Sequence, residues 1–292
     1  MQRFSPSDAA LEGFRLTRER PGTVLAWSGI YFVGILIIAI VMMASLSQDL
    51  IGVLKKGQLP TRDPQEMGAM LAQSWPAFVL VLVLTVLLFS IMMGGIYRLV
   101  LRPQERGVAH LRLGRDEVRL TAINTLLFGI GILSLAFGLL VTRVAEGASP
   151  IVGIVVAGMV VALTIWLGVR LSLATPMTFA THQMSIPEAW RLTRGYFWPL
   201  FGMLLLAVIF YVIIWMLVTI IAYVIITLSG GQSSVDDLRN PAAVVAFLAT
   251  LAIQLLLPIL QVIMIYSPLA IAYQQLHGDP PTRAKGAAHG DG

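Results

Sequence analysis

Six arginines and one tryptophan carry the chemistry this sequence could do: Arg15, Arg18, Arg119, Arg170, Arg191, Arg194 and Trp190. A guanidinium is planar, permanently charged and forked, which suits the oxygens of a phosphate, and an indole suits the level where apolar and wet surroundings meet. Five of these arginines lie in or beside a recurring phrase, an acid and two spacers followed by Arg-Leu-Thr. Its copies are Glu12-x-x-Arg15-Leu16-Thr17, Asp116-x-x-Arg119-Leu120-Thr121 and Glu188-x-x-Arg191-Leu192-Thr193. The first and third are the closest match, E-G-F-R-L-T-R against E-A-W-R-L-T-R. Each copy stands just before a long apolar run without charge. The ordinary role of such residues is to anchor a chain at the membrane interface, and the sharper one is a selective site for anionic lipid.

A second constellation is softer. Gln254 and Gln261 lie seven residues apart, on one helix face with Pro258 between them, and such amides beside a kink either line a cavity or bind neighbouring helices together. Enzyme and metal chemistry find no foothold. His110, His182, His277 and His289 are scattered without acidic companions at metal spacing, and there is no Gly-rich phosphate loop or nucleophile elbow. Asp236-Asp237 reads as a solvated loop rather than a cation site. With no Cys in the chain, disulfides, zinc-thiolate sites and thiol nucleophiles are excluded. The expectation is therefore no catalytic, cofactor-binding or metal residue.

The elements that must position these side chains follow from composition. Of 292 residues 57% are hydrophobic and 12% charged, with a mean hydropathy of +0.83. That is about half the charge of an ordinary soluble domain, so the apolar surface needs a membrane. Six runs are long enough to cross about 30 Å of hydrocarbon as helices, near 24–46, 76–98, 121–142, 150–172, 199–228 and 243–270. None alternates as a barrel strand would. The fold expected is an all-α polytopic bundle of six transmembrane helices in three hairpins.

Charge placement orients the bundle. With the N-terminus inside, fifteen Lys and Arg fall on the inner segments and five on the outer ones, so the positive-inside rule puts both termini in the cytoplasm. The formal charge of +5 thus belongs to membrane-flanking segments and implies no nucleic-acid partner. Each Arg-Leu-Thr copy then falls on the inner side at the start of a hairpin. Ala10, Gly13, Phe14 and Thr17 form a helical stripe, as do Ile186, Ala189, Trp190, Thr193 and Phe197, with Glu12–Arg15 and Glu188–Arg191 spaced to pair on the opposite side. Ser5-Pro6 and Ser185 with Pro187 read as helix starts. Each copy is expected as a short amphipathic helix on the inner membrane surface. Arg170, at the inner end of the fourth span, is expected to snorkel to the headgroups. Asp63-Pro64 should open a helix whose stripe Met67, Met70, Leu71 and Trp75 leads into the second span, and 278–292 should be a disordered tail after a single membrane domain over 1–277.

The segments R-L-S-L-A-T-P at 170–176, S-I-P-E-A-W-R-L-T-R-G-Y-F-W at 185–198 and S-P-L-A-I-A-Y at 267–273 resemble a group of poorly characterised bacterial six-helix inner-membrane proteins. That group includes the membrane domain accompanying some glycerophosphodiester phosphodiesterases. The resemblance implies a stand-alone membrane domain, and the phosphodiesterase barrel with its acid-histidine site is absent from this sequence. The function expected is a non-catalytic inner-membrane scaffold or module that meets lipids, anionic ones among them, a membrane protein partner or a second copy of itself. The alternative is a transporter of a hydrophobic or zwitterionic solute along Gln254 and Gln261.

Overall fold

The chain folds as a bundle of helices, seen in a computed structural model that describes residues 5–45, 64–104, 110–111, 114–184, 186–228 and 241–277. Among the described residues the regular elements are α1 (Pro6–Glu19), α2 (Pro21–Ser45), α3 (Pro64–Leu101), α4 (Arg115–Ala148), α5 (Pro150–Leu171), α6 (Ala174–Thr181), α7 (Ile186–Leu192), α8 (Phe197–Leu228) and α9 (Pro241–His277). Six segments, 21–45, 72–101, 115–147, 150–181, 197–228 and 243–277, are long and apolar enough to cross a membrane. The outside of the bundle is correspondingly apolar: Leu133, Ile154 and Phe137 are each more than two-thirds exposed. In water such a surface would drive aggregation, and in hydrocarbon it costs nothing. The chain is a multi-pass integral membrane protein.

Local signals set the helix boundaries. Ser5 caps α1, its hydroxyl accepting from the Asp8 N–H at 3.5 Å, with Pro6 in the first helical position where its missing N–H is harmless. The turn between α4 and α5 is a single residue, Ser149, which accepts from the Ile151 N–H at 3.3 Å ahead of Pro150. Such a short turn forces α4 and α5 into an antiparallel hairpin. They approach closely where Gly138 faces Val160 and Gly153 faces Glu146. α3 does begin at Pro64, whereas Asp63, the side chains of Met67, Met70 and Leu71, Ser185, the pair Asp236-Asp237 and the tail 278–292 lie outside the described residues.

The three Arg-Leu-Thr copies share one backbone feature. Thr17 donates to the Gly13 carbonyl at 2.9 Å, Thr121 to Glu117 at 2.8 Å and Thr193 to Ala189 at 3.1 Å, each four residues back. The residue that receives each bond is buried: Gly13, Glu117 and Ala189 all face inward. Each copy also leans on the C-terminal part of an even-numbered span. Gly13 of α1 meets Met264 and Ser267 of α9, Glu117 meets Gly94 and Arg98 of α3, and Trp190 of α7 meets Trp166 of α5.

Two expectations about these copies are corrected. The middle one is no separate surface helix; Arg119-Leu120-Thr121 forms the second turn of α4 itself. A break follows the other two, at Arg20-Pro21 and at Gly195, whose φ of +88° ends the helix, but nothing between Thr121 and Gly129 interrupts hydrogen bonding. Nor does α1 lie free on a surface. It runs antiparallel beside α9, the Ser5 N–H donating to Gln275 Oε1 at 3.4 Å while Gly13 sits against Met264, and Ala9, Ala10, Gly13 and Leu16 are buried.

Candidate functional site

The arginine-rich end of the bundle holds a polar layer that the sequence shows only in pieces. Its centre is an ion pair between Arg98 at the end of α3 and Glu117 in the first turn of α4, with side-chain exposures of 6% and 1%. Glu117 is held on both oxygens, since Oε2 also accepts from the Gly114 N–H at 2.9 Å, the carboxylate half of a capping box. Arg98 in turn donates to the His110 carbonyl at 2.6 Å. His110 adopts a left-handed backbone, φ +59°, to present that oxygen. Gly94 allows the approach, because a Cβ there would stand 3.1 Å from Glu117 Oε1.

A second cluster surrounds it. Asp116 Oδ1 meets Arg119 at 3.1 Å and His182 Nδ1 at 2.7 Å, and Arg102 lies 2.8 Å from His182 Nε2. Arginine can only donate, so Nε2 is the acceptor, and the histidine proton sits on Nδ1 and points to Asp116. The fold thus gives His182 the acidic companion that its position in the sequence does not show. The ring nitrogen with a free lone pair is already taken by Arg102. Phe179 lies under both guanidiniums, 5.6 Å from Arg98 and 5.1 Å from Arg102, which fastens α6 to the end of α3. Tyr97 and Thr175 share a hydrogen bond of 2.6 Å at the same junction.

Outside the spans, burial lifts the Glu12 carboxyl above its ordinary range, although Arg15 pulls it down. His110 is pushed below its ordinary value, first by burial and then by Arg20 and Arg98. A histidine whose folded pKa is lowered contributes stability that is complete above about pH 6.5 and lost as pH falls through the folded value. The thermal midpoint of the detergent-solubilised protein is therefore expected to drop between pH 7.5 and 5.5, and the drop should shrink in His110→Gln.

The arginines expected at the membrane interface divide into two kinds. Arg15, Arg18, Arg191 and Arg194 are exposed, Arg15 pairing with Glu19 at 2.9 Å and Glu12 at 3.8 Å, and Arg119 is half-buried against Asp116. No Glu188–Arg191 pair forms among the described residues. Arg170 does not snorkel: it is 9% exposed, stacked 4.6 Å over the half-buried Trp190 and 5.9 Å from Trp166.

Below this layer lies a cavity of about 620 Å³ bounded by α3, α4, α5, α6, α8 and α9. Its wall runs along α3 from Met93 back to Leu82, eleven residues or roughly 16 Å at 1.5 Å per residue. It therefore occupies the half of the bundle nearest the arginines. The surface is mainly apolar, and Thr85, Thr164 and Ser172 donate to carbonyls of their own helices. Asn124 is tied through its amide nitrogen to Ser90 at 2.9 Å and Met93 Sδ at 3.3 Å.

Gln254 and Gln261 do not line this cavity. Both are exposed on α9, because Leu257, Ile259, Val262 and Ile263 take the inward positions around them. The amides thus form no lining for a solute path here. A scan against protein-family models finds no match for the chain, and comparisons with curated proteins and with solved structures find none either.

Proposed function

We propose that this multi-pass membrane protein is a non-catalytic lipid-interacting module of a bacterial inner membrane, akin to the group its motifs resemble. Both termini face the cytoplasm, in keeping with the fifteen-to-five division of Lys and Arg. The observation that carries the reading is the apolar cavity in the arginine-rich half of the bundle. Its volume is that of a small-molecule site, and its mainly apolar wall suits a hydrocarbon chain. An inner-leaflet phospholipid has the matching form, with an apolar chain for the cavity and a phosphate for the guanidiniums above it. The occupied Nε2 of His182 supports the non-catalytic part, since an imidazole already accepting from Arg102 is poorly placed to take a proton from a substrate.

Gly168 lines the cavity, and a Cβ built on it meets nothing within 4 Å, so a larger side chain there fills space without disturbing the fold. After gentle solubilisation, mass spectrometry of the wild-type protein is expected to find retained glycerophospholipid, reduced several-fold in Gly168→Leu. Equal retention in both would overturn the reading, and a stoichiometric protein partner without lipid would replace it with a scaffold.

A further inference from the structure

Arg98 and Arg170 occupy corresponding places in the chain. Each opens the phrase Arg-Leu-x-Leu, Arg98-Leu99-Val100-Leu101 and Arg170-Leu171-Ser172-Leu173, at the end of an even-numbered span. The offset of 72 residues is also the offset between Arg119-Leu120-Thr121 and Arg191-Leu192-Thr193. The same shift carries Glu117, the carboxylate facing Arg98, onto Ala189. Ala189 is fully buried, as Glu117 nearly is, and it receives the same threonine hydrogen bond. One guanidinium therefore has an internal counter-ion, and the other has a methyl group at the corresponding position.

What remains around Arg170 is incomplete. Its Nη1 donates to Thr193 Oγ1 over a long 3.4 Å, and its buried Nε has no hydrogen-bond partner. No carboxylate lies within ion-pair distance of it among the described residues. The faces of Trp190 and Trp166 offset part of its charge burial, but a desolvated cation without an anion is costly. With Nη1 engaged, the edge left over is Nε with Nη2, the side of the fork that takes two oxygens of one group.

We propose that Arg170, with Trp190 and Thr193 holding it in place, is a phosphate site in the third repeat, filled by an external anion where the second repeat uses Glu117. Resting on the lipid reading above, the phosphate is that of the phospholipid whose chain lies in the cavity. Arg170 itself is not on the cavity wall, but Leu171 and Ser172, the next two residues in the chain, are, which places the headgroup site within one helical turn of the chain site. A soluble phosphate ester would use the same edge.

The test measures thermal unfolding of the full chain in maltoside detergent, titrated with dioleoyl phosphatidylglycerol or with inorganic phosphate. Wild-type protein should be stabilised by the lipid with saturation. Arg170→Met should weaken the apparent affinity at least tenfold. Ala189→Glu, which restores the carboxylate found at position 117, should weaken it as much while raising the midpoint without lipid. Arg143→Gln, at an exposed arginine at the opposite end of the bundle, should leave it unchanged. Saturable stabilisation by inorganic phosphate alone, lost in the same two variants, would keep the site and assign it to a soluble ligand. Wild-type affinity in both Arg170→Met and Ala189→Glu would overturn it; should one not fold, wild-type affinity in the other does so. Loss of lipid in Gly168→Leu with wild-type affinity in the Arg170 and Ala189 variants would sink this site and spare the lipid reading, and the reverse pattern would do the opposite.

Discussion

Glu117→Ala is expected to lower the stability of the solubilised protein by about 3–5 kcal/mol, the usual cost of removing one member of a buried ion pair. The loss combines three effects. Arg98, 5% exposed, no longer faces its carboxylate; the Gly114 N–H at the start of α4 gives up its acceptor; and the contact between α3 and α4 loses its polar pin. Glu117→Gln should cost less, because the amide oxygen can still accept from one donor. Leucine at both 98 and 117 should recover much of the loss, since replacing a buried pair with apolar side chains is often neutral. Thermal or denaturant unfolding of wild type, Arg98→Leu, Glu117→Leu and the doubly substituted protein forms a double-mutant cycle. A Glu117→Ala protein as stable as wild type would show that the pair contributes nothing net.

Gly13→Ala should cost about 1–3 kcal/mol through overpacking. A Cβ at this position would stand 2.7 Å from Met264 Sδ and 2.9 Å from Met264 Cα. The thioether can swing aside, but the backbone of α9 cannot, so α1 must move away from its partner. The local readout is proteolysis of the N-terminal segment, which should become faster in Gly13→Ala than in the control Gly22→Ala. Gly22 has nothing within 4 Å of its Cβ position, and proteolysis there should match wild type.

Different parts of this architecture were legible in the sequence for different reasons. The spans were plain, because runs such as 197–228 contain no charge, although the third, expected to end near 142, continues through Arg143 and Glu146 to Ala148 and leaves Ser149 alone as the turn. The stripe on α1 was visible too, as Ala10, Gly13 and Phe14, but a small-residue stripe says only that something comes close. That the partner is α9 depends on two segments some 250 residues apart, a relation no local pattern encodes. Arg98 counted as one more basic residue at a span end, although its Arg-Leu-x-Leu phrase recurs at Arg170 and an acid stands at 117 where the other copies have Gly13 and Ala189. That contrast was the available signal for the buried pair. The cavity left no trace, because it arises from the separation of helices and not from any residue type. Gln254 and Gln261 misled for the converse reason: polar side chains within an apolar run attract a functional reading, and here they face outward.

The docking of α1 on α9 also bears on the order in which the molecule is made. α1 is synthesised before the six spans described above, yet the part of α9 that meets Gly13 and the Ser5 N–H exists only after α9 has entered the bilayer. Until α9 is made, Gly13 lacks the neighbour it has in the finished fold, and the contact that closes the structure is among the most non-local it contains. The nascent chain therefore carries an unfinished N-terminal helix as a mark of incomplete synthesis, and a protein stalled before its sixth span exposes that helix to proteases and chaperones of the cell.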